Sequence, residues 1–269
     1  MRAGVIGWPV THSRSPAIHR AAAQAVGLEL DYQRFAVRPG HAIAAVRGMI
    51  PAGLRGLSVT MPHKEAVLDA LDEMSDVARL LGAVNCIVNT EGVLRGENTD
   101  GEGFLRGLAH QTGQQVAGHS VVVIGAGGAA RAIALACARA DADSVMIINR
   151  TVRRAETVAE LAAVIRVGRT DDIKRATLVV NATSVGMAGT AGQDLLPLDV
   201  SMLSDEALVV DIVYDPLDTP LLEACRARDI RAIGGLEMLA GQAAAQFQLW
   251  TGIEPELATL VAAARVNPR

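Results

Sequence analysis

The chain has 269 residues, half of them hydrophobic, and at about 100–200 residues per domain that length suits two domains with real cores. Its net charge of −4, with acids and bases interspersed, excludes the basic stripe that a nucleic-acid partner requires. Three scattered cysteines, Cys86, Cys137 and Cys225, exclude a disulfide framework and a Cys-x-x-Cys zinc pair, and apolar runs broken by Gly or charge well before about 18 residues exclude a membrane span.

In chain order, Ala3–Ile6 is predicted as a strand. Because a strand and turn already occupy Met1 to Pro9, no signal peptide is expected, and a reducing, cytoplasmic setting fits. Pro16–Val26 follows as a helix, with Ser15 as N-cap and Pro16 at the first helical position. Tyr32–Ala36 and Gly56–Val59 are the next strands. Pro62 is predicted to start a helix as Pro16 does, and Ala83–Val88 is a further short strand. This alternation predicts an α/β domain with a largely parallel sheet. Gly101–Ala109 is a linking helix. A second βα series then runs through the strand Ser120–Ile124, the helix Ala129–Arg139, the strand Val145–Ile148, the helix Thr151–Ala163, and the strands Leu178–Asn181 and Leu208–Ile212. The tail, Gly235–Gly252, is helical.

The segment Gly125-Ala126-Gly127-Gly128-Ala129-Ala130 follows a strand and opens a helix, the context that a dinucleotide fingerprint requires. Gly125 permits the tight turn, Gly127 lets the backbone approach a pyrophosphate, and Ala130 keeps helix and strand close. The helix N-terminus offers free N–H groups to the phosphates. The choice of dinucleotide falls at the end of the next strand. NAD binders place an acid there for the ribose 2′-hydroxyl. Here the strand ends in Asn149-Arg150-Thr151, with Arg153 and Arg154 beyond and no carboxylate before Glu156. Guanidinium groups suit a 2′-phosphate, so NADP is the expected cofactor.

Ser13 and Ser15 lie beside the Pro-initiated helix, a place that suits a carboxylate. Simple capping would explain Ser15 but not Ser13 equally well. The six histidines, His12, His19, His41, His63, His110 and His119, show no zinc-ligand spacing. They are read as loop, packing or surface residues, and no metal is expected.

Several further segments stand in order along nearly the whole chain: Gly7-x-Pro9-x-x-His12-Ser13-x-Ser15-Pro16-x-x-His19, Val59-Thr60-x-Pro62-x-Lys64, Gly82-Ala83-Val84-Asn85 and Gly96-x-Asn98-Thr99-Asp100-x-x-Gly103. Beyond the glycine loop come Asn149-Arg150-Thr151, Asn181-Ala182-Thr183-Ser184-x-Gly186-Met187 and Gly235-x-x-Met238-Leu239-x-x-Gln242. Together they resemble the shikimate dehydrogenase family. The resemblance implies an N-terminal α/β substrate domain over 1–100 and a Rossmann-like, doubly wound NADP-binding domain over 101–234, with a cleft between them. It also implies C-terminal helices, 235–269, that pack back on the substrate domain.

The implied activity is reversible NADPH-dependent reduction of 3-dehydroshikimate to shikimate, an oxidoreductase step toward chorismate and the aromatic amino acids, by a monomer or homodimer. The same resemblance makes Lys64 and Asp100 the catalytic pair. Ser13 and Ser15 would bind the substrate carboxylate, and Thr60, Asn85 and Gln242 its hydroxyl and carbonyl region, with Tyr214 lining the cleft. Gly125 to Ala129, Asn149, Arg150, Thr151 and Arg154 would take the cofactor's phosphates and adenosine end. Thr183, Met187, Gly235 and Met238 would lie toward the nicotinamide.

Carbonyl reduction needs a proton on the developing alkoxide. A lysine ammonium supplies it, and a carboxylate keeps that ammonium charged and in place. Three positions depart from the family's usual pattern: Ser58 where Asn is frequent, Cys86 where Thr is frequent, and Arg20 where Asn is frequent. The first removes an amide, so one substrate hydrogen bond would be missing or water-bridged. Two other readings stand beside this one. One is a paralogue acting on quinate or an aminoshikimate analogue. The other is a non-catalytic NADP-binding regulator, which would have no need of Lys64, Asp100, Ser13 and Ser15 together.

Overall fold

The computed structural model describes residues 1–266, so the end of the expected 235–269 segment lies outside the described residues. The chain divides into two units: Met1–Gly103 with Leu239–Arg269, and Phe104–Met238.

The first unit opens with β1 (Arg2–Gly7), α1 (Ser15–Ala25), β2 (Asp31–Ala36), α2 (Ala42–Gly48) and β3 (Gly56–Val59). A short 3-10 turn, Leu68–Ala70, leads to β4 (Glu73–Met74) and α3 (Asp76–Leu81). The hairpin of β5 (Cys86–Thr90) and β6 (Val93–Glu97) follows, and then the start of α4 (Asp100–Thr112). The strands form one sheet in the order β2-β1-β3-β5-β6-β4. Pairing is parallel from β2 to β3, antiparallel at β3/β5 and β5/β6, and parallel again at β6/β4.

Alternate strand residues face opposite layers of this sheet, as the pleat dictates. Ile6, Leu57 and Ile87 pack with Val46 of α2 on one face, while Ala3, Val5, Tyr32 and Cys86 pack with Trp250 on the other. The buried His19 ring of α1 stacks on Tyr32, with centroids 4.6 Å apart, and lies 4.9 Å from the Trp250 ring.

Two expectations about helix starts are corrected. Helix α1 begins one residue earlier than Pro16, with Arg14 rather than Ser15 at the N-cap; Ser15 lies inside the first turn and its N–H reaches Ser13 Oγ at 3.3 Å. No α-helix follows Pro62. The Lys64 carbonyl, which a helix would need for its own ladder, accepts instead from the Val84 N–H at 2.8 Å, so the segment runs as turns until the 3-10 stretch at Leu68–Ala70.

The second unit is built from β7 (Ser120–Ile124), α5 (Gly128–Arg139), β8 (Ser144–Ile148), α6 (Val152–Ala159) and β9 (Ile165–Val167), followed by β10 (Leu178–Asn181), β11 (Leu208–Asp211), α7 (Pro220–Arg226) and β12 (Ala232–Ile233). Its sheet has the order β12-β11-β10-β7-β8-β9, and every pair is parallel. The order reverses at β7, where successive helices pass to opposite faces, the doubly wound arrangement. Val121 and Val123 pack with Phe104, Ile133 and Val158 on one face, and Val122 and Ile124 with Leu221 and Cys225 on the other. Helix α6 stops at Ala159 rather than continuing to Ala163, as the chain turns to feed β9.

The chain then runs through α8 (Leu236–Thr251) and α9 (Leu257–Arg265), most of which belong to the first unit. Cys86, Cys137 and Cys225 are buried and unpaired. Burial pushes the Cys137 thiol up to about 12. Among the described residues, no helix is long and apolar enough to cross a membrane, and no cluster of His, Cys, Asp and Glu is arranged to hold a metal.

Candidate active site

In the first unit, Lys64 and Asp100 form a direct ion pair, Nζ donating to Oδ2. Lys64 is carried by the turns after β3, whose backbone is held by Val84. Asp100 is the first residue of α4, where a carboxylate is stabilised by the helix dipole. The Asp100 side chain is 6% exposed and that of Lys64 20%, so the ammonium is the member of the pair that a ligand can reach.

Asn85 holds the other carboxylate oxygen, its Nδ2 donating to Asp100 Oδ1 at 2.7 Å and to Thr99 Oγ1 at 3.1 Å. Its Oδ1 accepts from the Thr99 N–H at 2.8 Å. Both Asn85 N–H groups are therefore engaged within the protein, and Asn85 itself is buried. The Asn98 Oδ1 accepts from the Asp100 N–H at 3.1 Å, and its amide donates to the Ala83 carbonyl at 2.9 Å. Every side chain of the Asn98-Thr99-Asp100 segment thus has a partner.

Helix α8 comes close here because α4 carries Gly103. A Cβ on that residue would stand 2.5 Å from the Gln242 nitrogen and 2.8 Å from its Cα, so only glycine allows this approach. Thr99 Oγ1 seals the contact by donating to the Gln242 carbonyl at 3.1 Å. Gln242 is partly exposed. Thr60, also partly exposed, follows β3, and its N–H donates to the Ile6 carbonyl at 3.0 Å.

Ser13 and Ser15 lie between β1 and the first turn of α1, Ser13 partly exposed and Ser15 buried. The Arg34 guanidinium donates twice to the Ser13 carbonyl, at 3.0 and 2.7 Å, and Arg14 reaches the Ala264 carbonyl of α9 at 2.6 Å. The loop that carries the two hydroxyls is thus tied down on both sides.

Ser58 is engaged within the protein. It is buried, with its hydroxyl 2.7 Å from the Tyr32 hydroxyl and 2.5 Å from Gln246 Oε1. His63, next to Lys64 in sequence, is buried and bonds the Val37 carbonyl at 2.7 Å, which makes it a packing residue. Gln246 and Tyr32 were not singled out from sequence. The available signal was the spacing of Gln246 four residues after Gln242, which places two amides on one helix face amid alanines.

In the second unit, the turn after β7 is made by Gly125, whose φ of +117° strains any other residue and whose absent Cβ would stand 2.8 Å from the Ala182 carbonyl oxygen. Gly127 is the N-cap of α5, with nothing within 4 Å of where its Cβ would be. Ala126 completes the loop, and Gly128 and Ala129 open α5. No side chain caps α5 and no acid stands in its first turn, so no side chain competes for its first N–H groups. Ala130 is fully buried against the sheet.

At the end of β8, Asn149 donates to the Thr151 carbonyl at 2.9 Å and shapes the bend into α6. Arg150, Thr151, Arg153 and Arg154 are exposed. Among the described residues, the three guanidinium groups make no ion pair or hydrogen bond. Backbone donors at an uncapped helix start, an open glycine and unpartnered arginines together fit a dinucleotide with an added phosphate.

Thr183 follows β10. Its hydroxyl donates to Asn181 Oδ1 at 2.7 Å and accepts from the Val185 N–H at 3.1 Å, which folds the loop that carries Met187. That loop is fastened to the one after β11 through Asp211. This buried carboxylate accepts from Asn181 at 2.9 Å, from the Val213 N–H at 3.1 Å and from Thr219 at 2.7 Å. Burial, the largest influence, raises its pKa, and the three donors oppose the rise. Tyr214 is partly exposed just beyond. Gly235 lies against the Ile212 backbone, and Met238 packs on the core beside α4.

Comparison with known proteins covers both units. The family described as Shikimate dehydrogenase substrate binding domain matches residues 5–87, Shikimate / quinate 5-dehydrogenase matches 107–213, and Shikimate 5'-dehydrogenase C-terminal domain matches 235–265. The chain is 42% identical over 264 residues to a shikimate dehydrogenase (NADP(+)) of Geobacter metallireducens, covering 94% of this chain and 91% of that one. It is 44% identical to the protein of the same name from Moorella thermoacetica, over 95% of this chain and 90% of the other. A crystal structure of shikimate 5-dehydrogenase from Thermus thermophilus, in complex with NADP(H) and shikimate, superposes with a TM-score of 0.92 at 38% identity, covering 98% of each chain. Sequence and fold agree over nearly the whole length, and the chain belongs to the shikimate dehydrogenase family.

Proposed function

We propose that this chain catalyses the reversible, NADPH-dependent reduction of 3-dehydroshikimate to shikimate. The observation that carries this reading is the Lys64–Asp100 pair, with one carboxylate oxygen on the ammonium and the other on Asn85, in a chain of this family. When bound, the nicotinamide supplies the hydride. The protein supplies the proton and the geometry. Of the three N–H donors of Lys64, one is on Asp100, which leaves the others for the ring oxygen that becomes an alkoxide. The ammonium stabilises that charge as it develops and donates the proton. Asp100, itself fixed by Asn85, keeps the ammonium aimed.

Ser13 and Ser15, at the start of α1, hold the substrate carboxylate, while Thr60, Gln242 and Tyr214 contact the ring substituents; Asn85, expected among them, is buried with its amide engaged on Asp100 and Thr99 and acts through Asp100. The α5 N-terminus with Gly125 to Ala129 holds the pyrophosphate. Asn149, Arg150, Thr151 and Arg154 hold the adenosine end with its 2′-phosphate. Thr183, Met187, Gly235 and Met238 lie at the nicotinamide end. Three buried thiols favour a reducing, cytoplasmic setting, and the protein acts as a monomer or homodimer. The test is the growth of NADPH absorbance when the purified protein meets NADP and shikimate, with quinate and NAD as parallel arms. Turnover on quinate but not on shikimate would replace this substrate with the paralogue's.

A further inference from the structure

A second glutamine lies behind the first. Gln246 is one turn beyond Gln242 on the same face of α8 and is 1% exposed. Its Oε1 accepts from Ser58 Oγ at 2.5 Å. Its Nε2 donates to Gln242 Oε1 at 2.6 Å and to the Asn85 backbone carbonyl at 3.2 Å, and it lies 3.4 Å from Thr99 Oγ1.

The direction of each of these bonds is determined by chemistry. A backbone carbonyl only accepts, so the Gln246 amide must turn its nitrogen toward Asn85 and its oxygen toward Ser58. Ser58 therefore donates to Gln246, and its own oxygen takes the proton of the Tyr32 hydroxyl, 2.7 Å away. At the other end, Gln242 Nε2 lies 2.9 Å from the Leu239 carbonyl, again an acceptor only, so the Gln242 nitrogen belongs there and its oxygen faces Gln246. Two backbone carbonyls thus polarise one run of donors: Tyr32 to Ser58, Ser58 to Gln246, Gln246 to Gln242.

We propose that Gln246 is a positioning residue that locks the Gln242 amide with its oxygen inward, so that Gln242 offers a bound ligand an N–H donor. The group recognised at that place is then an acceptor, the oxygen of a ring hydroxyl or carbonyl. Without Gln246 the Gln242 oxygen loses its inward partner, and the Leu239 carbonyl alone opposes a turn of the amide. This inference rests on the proposed reading of Gln242 as a substrate residue. It goes beyond that reading in naming what sets the polarity of Gln242.

Steady-state kinetics on Gln246→Leu, Gln242→Ala and the double variant test it, with thermal unfolding of each. Gln246→Leu is expected to raise KM for shikimate roughly tenfold, the equivalent of one lost hydrogen bond, with kcat within about threefold and KM for NADP unchanged. On the Gln242→Ala background the same substitution should add nothing, because the residue it positions is gone. A KM for Gln246→Leu equal to wild type, or single effects that multiply in the double variant, would overturn the proposal. If Gln246→Leu fails to fold, Ser58→Ala takes its place, with a smaller rise of about threefold and the same test on the Gln242→Ala background. Should Gln242→Ala itself leave KM unchanged, the reading of Gln242 falls and takes the proposal with it. A raised KM in Gln242→Ala beside multiplying effects removes only the role of Gln246.

Discussion

Asn85 donates to Asp100 Oδ1 at 2.7 Å, on the carboxylate oxygen that Lys64 leaves unoccupied. The carboxylate is thereby held at both ends, and the ammonium inherits its aim. Lys64→Ala should therefore lower kcat by at least ~10²-fold, the range for loss of a general acid. KM for shikimate should change far less. Rates near wild type for the variant would remove Lys64 from the chemistry.

The two serines give a binding prediction. Ser13→Ala combined with Ser15→Ala should raise KM for shikimate while leaving NADP affinity nearly constant. Each hydroxyl bond to a charged group is worth roughly 1.5–3 kcal/mol. Because Ser13 Oγ also accepts from the Ser15 N–H, circular dichroism must accompany the kinetics. A double variant that unfolds would assign these hydroxyls to the helix start rather than to a ligand.

Cofactor choice is tested at Arg150, exposed and without a partner among the described residues. Arg150→Asp should weaken NADP and spare NAD, since only the 2′-phosphate loses an attraction and gains a repulsion, a difference of several kcal/mol for charges brought close. The measurement is kcat/KM for both cofactors at one ionic strength, because exposed phosphate contacts are screened. An unchanged cofactor ratio would show that this loop does not read the phosphate.

His19 makes stability depend on pH. Burial holds its imidazole down from 6.5 to about 3, and neither ring nitrogen reaches a hydrogen-bond partner. In the unfolded chain the ring takes a proton near 6.5, while in the folded chain it stays neutral down to about 3. The unfolded state thus binds more protons in that window. The contribution is intact above 6.5 and is lost as pH falls toward 3, on the order of 5 kcal/mol at full extent. Urea unfolding across this range should show a shallower acid loss for His19→Phe, which keeps the stack on Tyr32. Identical slopes would mean that other groups govern acid unfolding.

The elements visible in the sequence were those whose own residues dictate them. Gly56–Val59, Ser120–Ile124 and Leu178–Asn181 are predicted to the residue, being short apolar runs between turns. Pro16 and Pro62 look alike in sequence, yet only the first begins a helix, because the Lys64 carbonyl is claimed by Val84, some twenty positions on. That competition is tertiary and has no local signature. The β5–β6 hairpin had a signal that went unread: Glu91-Gly92, with φ of +53° and +93°, is a two-residue turn between strands. In the site, the motifs pointed to Lys64, Asp100 and Asn85, but motifs do not say which partner each donor chooses. Ser58 faces Tyr32 and Gln246, partners that lie 26 and 188 positions away in the chain and that only tertiary packing brings together.

The backbone contact between Gly103 and Gln242 has a consequence for anyone who redesigns this protein. Where two main chains touch, no side chain remains to be trimmed, and the spacing of Asp100 and Gln242 cannot be relaxed by the usual truncations. A library aimed at bulkier ring substrates would find position 103 restricted to one amino acid. It would gain room only by shifting the whole of α8, so selections confined to the residues around the ring should converge on altered chemistry at their tips and leave the width of the seat as it is.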